Sequence, residues 1–581
     1  MALSLIDAAI VAGYLLLVFV IGAYMERRAK TDMESYFLGG RTISWWMLGL
    51  SGSSTYFDIA GTMWMVSVFY DLGMRGMWQH AFWCFPFAGF VLAYKAKWAY
   101  RSGVLTGMEW LVFRYGTGRA GQAARFVSVV TQLIMLVLML GYAGTGVSKF
   151  VAEFLPFDRS VVVPILFGFT GLYVLLGGFF SVVYSDFIQT ILLSFAALYI
   201  AVVAFIGIDP EAFRQTVGED WFSLRPVMRL PAPVDGYPDV FGLLIVLWVS
   251  RGLISLLAAA GGGADFQRFR AARNEAEASK IGLAWGLAIS VRWGMVMGFT
   301  AFGLSILASQ GEAVDSESVL PMMINRVLPV GIKGIVIAGL LAAFMSTFDS
   351  TLNVAASFVV NDLVKPVWKT ATPRALVRTG YVATAVVVLL GILISMYTDS
   401  IAKIWNPINF ALGAALIAPG LLAAYWWRIG GWAVVLSGAC TLPAALYVKV
   451  FTDWRELQYF PVLAGVSLVT TVLGAYLFGP PPDETLKDFY RKVRPFGVWG
   501  PVRAMLRKSG EDSSRPASDR YDIPVAIVAT VFFVAVYVLI MDIVLHNWGR
   551  AGALAAVVLA TGAFLYYAWW RRLPESSTDT N

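Results

Sequence analysis

Two stretches of the chain collect oxygen atoms inside otherwise apolar sequence, as a dehydrated cation requires. The first reads Gly49-Leu50-Ser51-Gly52-Ser53-Ser54-Thr55-Tyr56-Phe57-Asp58-Ile59-Ala60-Gly61-Thr62. In apolar helices such Gly, Ser and Thr clusters either line a cavity with backbone groups or let helices approach closely. The carboxylate decides between them, because an acid placed mid-span is costly and marks a cation or proton path. Asp58 is therefore a candidate coupling residue.

The second stretch reads Ala342-Ala343-Phe344-Met345-Ser346-Thr347-Phe348-Asp349-Ser350-Thr351-Leu352-Asn353. Ser346, Asp349, Ser350 and Asn353 fall at i, i+3, i+4 and i+7, so a helix puts four oxygen-bearing side chains on one face, with Thr347 one step around. A hard cation takes several neutral or anionic oxygens, carbonyls of unwound backbone among them, which points to sodium. The alternative is a hydroxyl-rich helix interface in which each side chain satisfies a carbonyl one turn back.

The surroundings of these stretches define the class. Of 581 residues, 58% are hydrophobic and 14% charged, against about 25% charged in soluble domains. This composition excludes a water-soluble enzyme and a disordered or fibrous chain, and the net charge of +7 is read through membrane topology rather than nucleic-acid binding. Two cysteines, Cys84 and Cys440, and two histidines, His80 and His546, support neither a disulfide framework nor a multi-ligand metal centre. No HExxH, GxSxG or phosphate-loop motif occurs, so no enzyme is expected.

A bilayer core needs about 20 apolar residues of helix, and fifteen runs qualify, near 5–25, 44–70, 77–97, 124–147, 161–179, 186–208, 239–260, 281–309, 333–360, 378–398, 408–428, 430–451, 459–478, 522–546 and 551–570. With the N-terminus outside, 30 of the 44 Lys and Arg fall on inside loops and 12 on outside loops, leaving Arg251 and Arg292 deep within spans. The bias predicts a cytoplasmic C-terminus, and the inner (plasma) membrane is the expected location. Residues 1–43 carry an extra span and an inside loop, and 209–238 an acidic, proline-rich outside loop. Two peripheral spans occupy 429–478, a basic cytoplasmic linker 479–521, and a two-span hairpin with tail 522–581.

Four motifs occur in order: Ser35-Tyr36-Phe37-Leu38-Gly39-Gly40-Arg41; Tyr173-Val174-Leu175-Leu176-Gly177-Gly178-Phe179-Phe180-Ser181 followed by Asp186 and Gln189; Gln267-Arg268-Phe269-Arg270-Ala271-Ala272; and Ala343-Phe344-Met345-Ser346-Thr347. Together they make the chain similar, over roughly 5–478, to the sodium:solute symporter family, as a bacterial member related to sodium/glucose and sodium/proline symporters. The resemblance implies an all-α polytopic membrane protein with a five-plus-five inverted-repeat, leucine-transporter-like core among about 15 transmembrane helices. The repeats would be 44–208 and 239–428, with the second and seventh spans broken. Gly261-Gly262-Gly263 would then loosen the seventh span, or end its helix. Carried over from the family, sodium would be held by the carbonyls of Ser54, Phe57 and Ala343 and the hydroxyls of Ser346 and Thr347, with Asp58 a further charge nearby. Asp186 matches an acid on the family's inner exit route or at a second cation site; an interfacial helix cap fits it too.

For the solute, the family's register offers His80, Met135, Arg251 and Arg292. Met135 cannot recognise a hydroxyl. A deep arginine needs an anionic partner or a wet cavity, and its planar fork suits a carboxylate. Arg251 and Arg292 either grip a substrate carboxylate or are neutralised internally by Asp58, Asp265 or Asp349. His80 is a proton gate or a polar anchor, and Asn409, like Asn406, reaches the solute or serves its own helix. Trp64, Tyr70, Trp78 and Trp83 line an outer vestibule or form an interfacial belt. The expected function is sodium-coupled symport of a small polar organic solute, with a lean toward a carboxylate-bearing or zwitterionic one. A sodium/sugar symporter is the alternative, and a transporter-like membrane sensor the alternative of another class. Sodium and the solute are the expected partners, with no nucleic acid; protein partners are left open.

Overall fold

The computed structural model describes residues 3–574 apart from 30–40, 82–84, 105, 231–233, 235–236, 259–264 and 311–313, and at 22–23, 25–29, 85, 173–182, 256, 308–310 and 373 it describes helical backbone only. Apolar sequence of this density must satisfy its backbone internally, and in lipid a helix does so within one segment. Among the described residues every regular element is a helix, and the one extended pairing is an isolated bridge between Trp426 and Val498.

In chain order, α1 is Leu5–Ala29, α2 Trp45–Thr55 and α3 Ile59–Leu72. α4 runs over 85–102 with a π turn at Val91–Lys95. α5 is Arg119–Ala152, α6 Arg159–Gly207, α7 Phe241–Leu257, α8 Asp265–Arg270, α9 Glu275–Ser290, α10 Arg292–Gln310, α11 Ile332–Ser357 and α12 Pro373–Met396. α13, Ile401–Ala415, meets α14, Ile417–Tyr425, at a bend of 49°. α15 is Gly431–Phe451, α16 Glu456–Leu477, α17 Asp483–Val493, α18 Gly500–Lys508, α19 Asp522–Val544 and α20 Trp548–Ala568.

Among the described residues nine helices are long and apolar enough to cross a membrane, ten if the bent pair counts as one. The expected fifteen crossings are thus not fifteen uninterrupted helices. The run 44–70 is split into α2 and α3, and 239–260 stops at Leu257 before α8 restarts at Asp265. The helical run α6 has 49 residues, about 73 Å at 1.5 Å per residue, more than two bilayer cores. Its arms 159–172 and 183–207 run in opposite directions. Arg159 bonds to the carbonyls of Ser395 and Thr398, Phe167 and Asp186 both reach α11, and Phe205 stacks on His546. The Gly177-Gly178 motif lies between the arms, and Gly261–Gly263 lies outside the described residues.

Burial separates the centre from the rim. The span containing α11 is 94% buried, that containing α20 only 11%. Small residues bring the central helices together: a Cβ on Gly282 of α9 would lie 2.5 Å from the Leu92 nitrogen and 2.6 Å from the Ala88 oxygen of α4. Residues 209–222, 315–318 and 398–400 share one face, joined by Arg75–Asp220, Ser316–Asp71 and Ser400–Glu317 contacts; this is the vestibule face. The opposite, linker face carries α17 and α18.

The linker is more than the surface connector its charge suggests. Leu486, Phe489, Tyr490 and Val493 on α17 and Val502 and Leu506 on α18 form apolar faces of two amphipathic helices and are buried, as is Trp499 ahead of α18. Arg101 donates to both Asp519 oxygens at 2.6 and 2.9 Å, and Lys97 to Asp519 at 3.1 Å. Burial alone would raise the Asp519 pKa; the Arg101 hydrogen bonds and the Lys97 charge instead hold it near 2.

Candidate functional site

α2 and α3 are one apolar segment interrupted at Tyr56–Asp58. Asp58 opens α3 as its N-cap, Oδ1 accepting from the Gly61 nitrogen at 2.6 Å. Arg292 secures the gap from α10. It donates to the carbonyls of Tyr56 at 2.7 Å and Asp58 at 3.3 Å and to Thr62 Oγ1 at 2.8 Å. It also lies 3.6 Å from the Asp58 carboxylate and 4.9 Å from the Phe57 ring centre. An interrupted helix leaves carbonyls without intrahelical donors, and this guanidinium supplies them. Asp58, Phe57 and Arg292 thus meet one another.

On the other side of α2, hydroxyls converge with α6 and α11. Ser346 Oγ donates to Asp186 Oδ1 at 2.5 Å and lies 3.0 Å from Ser54 Oγ; Ser51 donates to Asp186 Oδ2 at 2.5 Å. Thr347 Oγ1 reaches the Thr55 carbonyl at 2.8 Å and the Ala343 carbonyl at 3.2 Å. The glycines of α2 face elsewhere, a Cβ on Gly52 falling 2.5 Å from Trp285 of α9. The Gly/Ser cluster therefore does both things its composition allows, glycines packing and hydroxyls lining. Ser54, Ala343, Ser346, Thr347 and Asp186 are brought together, whereas Phe57 lies with Arg292. Asp349 is fully buried on α11.

One cation already sits in this cradle. Arg268 of α8 donates to Ser51 at 3.0 Å, Thr55 at 2.8 Å and Ser350 at 3.2 Å, and lies 3.5 Å from Asp186 and 3.6 Å from Asp265. In the sequence Arg268 stands out only as part of a motif, five residues after the glycine triplet.

Arg251 occupies a different place. Its guanidinium bonds Asn409 Oδ1 and lies 5.8 Å from the Phe410 ring centre, and no described carboxylate pairs with it. Asn409 is presented by the π turn Pro407–Leu412 and donates to the Trp405 carbonyl at 2.9 Å. Around the two lies a gap of about 20 Å³ lined by Trp64, Gln79, Trp248 and Trp405. On the vestibule side a cavity of about 490 Å³ shares Trp64, Gln79 and Trp248 and carries Asp71, Asp315, Glu317, Asp399 and Glu456 against Lys149 and Arg455. On the linker side a cavity of about 300 Å³ shares Arg251 and includes Met135. Arg251 thus stands at the neck between two cavities. His80 is buried with its ring 4.8 Å from Trp64 and 5.3 Å from Trp293, and so braces an aromatic wall of that neck. Gln79, Trp248 and Trp405 were not legible as site residues, since amide and indole side chains in apolar runs carry no spacing signal.

A model of the sodium:solute symporter family matches residues 36–439. The chain is 26% identical over 549 residues to a sodium/myo-inositol cotransporter of Homo sapiens, covering 83% of this chain and 74% of that one. It is 24% identical over 479 residues to sodium/glucose cotransporter 4 of Danio rerio, covering 73% and 68%. A solved structure of a Na+-coupled sialic acid symporter, in a substrate-bound outward-open state, shares the fold with a TM-score of 0.65 at 19% identity, covering 82% of this chain and 99% of that one. With well over half its length matched by the family, the chain belongs to the sodium:solute symporter family, as a multi-pass membrane transporter, not an enzyme, that couples sodium to a small solute.

Proposed function

We propose that inward sodium flow drives uptake of a small carboxylate-bearing or zwitterionic solute, gripped at the neck by Arg251 and Asn409. One observation carries this reading: Arg251 lies at the meeting of two cavities, bonded to a neutral amide and to no described carboxylate. A guanidinium so placed offers a bidentate anion site. Arg292, whose two terminal nitrogens donate across the helix break beside Asp58, takes the internal role. Each sodium ion moved through the membrane potential supplies about 2.3 kcal/mol per 100 mV, enough for more than a tenfold solute gradient.

Sodium sits between α2 and α11, with Ser346 and Thr347 as hydroxyl ligands and the Ala343 carbonyl beside them. The Thr347–Thr55 contact favours Thr55 over Ser54 as the α2 carbonyl ligand, one residue further along. Phe57, turned to Arg292, is the weakest of the five expected ligands. Asp186 serves a second cation position or the exit route. The paired breaks, α2/α3 and α7/α8, support repeats at 44–208 and 239–428, and the basic linker face supports a cytoplasmic C-terminus.

A neutral polyol or sugar is the second reading, favoured by the named relatives and by the amides of Gln79 and Asn409 beside indole walls. Proteoliposomes with an imposed sodium gradient, offered carboxylates, amino acids and polyols, separate the two. Carboxylate uptake lost in Arg251→Gln is the expected result. Uptake confined to neutral polyols and unaffected by that substitution rejects the arginine argument.

A further inference from the structure

The cavity on the linker side holds a second cation besides Arg251. Lys95 ends the π turn of α4, is 4% exposed, and lines this cavity of about 300 Å³. Its ammonium makes no hydrogen bond and no ion pair with any described residue; its nearest aromatic contact is the Phe87 ring centre at 5.6 Å. Asp265 is the acid lining the same cavity; its charge acts on Lys95 from beyond ion-pair distance, while its carboxylate accepts from the Tyr56 hydroxyl at 2.8 Å and lies 3.6 Å from Arg268. Lys97, two residues on, shows the contrast: it is buried too, but paired with Asp519 at 3.1 Å and Asp522 at 2.5 Å. A buried ammonium facing a cavity with no carboxylate in direct contact is costly in a membrane protein, and such groups mark the path of a charged species. Most of the rest of the lining is apolar, so an anion entering here meets two positive heads, Arg251 at the neck and Lys95 toward the linker face.

We propose that Lys95 forms an exit-side subsite for the carboxylate of the transported solute, receiving it after Arg251 releases it. This rests on the reading of the solute as a carboxylate and adds the residue that draws it toward the linker face. The subsite is tested through its electrostatic potential, whichever carboxylate the solute is. In a chain carrying Cys84→Ser and Cys440→Ser, a reporter Ser255→Cys places a thiol in the same cavity. It is reacted from the linker face with a sulfonatoethyl and with a trimethylammonioethyl methanethiosulfonate. The sulfonate reagent is expected to be favoured, Lys95→Met to cut the sulfonate-to-ammonium rate ratio about tenfold through loss of one nearby charge, and Lys95→Arg to retain it. Pyruvate, as a carboxylate probe, should protect the thiol in the parent and not in Lys95→Met, while glycerol protects in neither. Sodium-dependent thermal stabilisation of each variant checks that it is folded. An unchanged ratio alongside carboxylate-selective uptake overturns the Lys95 subsite alone. The expected ratio alongside uptake confined to neutral polyols overturns the solute assignment, and with it the role given to Lys95.

Discussion

The sodium seat can be tested without a known solute by removing its two hydroxyls. Thr347→Val keeps shape while deleting the oxygen that lies 2.8 Å from the Thr55 carbonyl and 3.2 Å from that of Ala343. Ser346→Ala deletes the oxygen between Asp186 and Ser54 but leaves Asp186 its Ser51 and Arg268 partners. The first costs about 1 kcal/mol of stability, as a neutral hydrogen bond does, and the second about 1.5–3 kcal/mol, as a bond to a charged group does. For the ion each oxygen is a charged-group interaction of about 1.5–3 kcal/mol, so the double variant should bind sodium about 10²–10⁴ times more weakly. The assay is thermal unfolding in detergent titrated with sodium at constant ionic strength, choline making up the balance. Ser437→Ala is the matched control: Ser437 lies 3.2 Å from Ser467 between α15 and α16, so its loss should lower the melting temperature and leave the sodium midpoint unmoved. A folded Ser346→Ala/Thr347→Val protein with the parent's sodium midpoint refutes the seat.

Arg268→Gln should leave a measurable sodium-dependent melting shift, its midpoint moved to equal or lower concentration, while uptake becomes less sodium-dependent; a parent-like sodium dependence of uptake counts against Arg268 as a competitor for the seat. Arg292→Met should lower stability by about 3–5 kcal/mol, the cost of leaving a buried partner charge uncompensated, and Asp58→Asn added to it should restore part of the loss; a melting temperature within error of the parent's contradicts the clamp on the α2/α3 break. Asp519, held near 2 by Arg101 and Lys97, contributes linker docking that is complete above the ordinary aspartate range and disappears as pH falls through about 2. Hydrogen exchange at Leu486–Leu506 should therefore stay slow at pH 5 and rise steeply below pH 3, and Asp519→Asn should already exchange faster at neutral pH; protection indifferent to both would show that the charges do not hold the linker.

The proposed seat is marked in the sequence because its chemistry is incompatible with lipid: Ser346 and Thr347 stand in an otherwise apolar helix, and Asp58 in an apolar run. Apolar length also marks where helices form, but not where they stop. The α2/α3 break is fixed by Arg292, 234 residues after Asp58, and no local signal at Tyr56 reports an arginine arriving from another helix. Arg268 is hidden for a related reason: by position it belongs with the loop cations that set topology, although its guanidinium folds back into the core. Lys95 falls at the end of an apolar run and reads the same way. Only the three-dimensional pairing of Lys97 with Asp519 and Asp522 distinguishes the two lysines. In the linker, charge obscures an amphipathic period that buries Leu486, Phe489 and Val493.

Symport requires that ion and solute bias the same moving element, because a ligand shifts an equilibrium only by its differential affinity for the two states. The interrupted segment α7–α8 is placed to be that element. Its first half carries Arg251 at the solute neck, and its second half carries Arg268 against Asp186 and the α2 hydroxyls. A cation entering the proposed seat would lie beside Asp186 and Thr55, which that guanidinium already engages, and like charges at such range repel strongly where water is scarce. On the proposed sites, sodium would weaken the hold of α8 on α2, while a carboxylate at Arg251 would act on α7. On that proposal both ligands would work on one broken segment through two arginines, and neither arginine would need to touch both ligands.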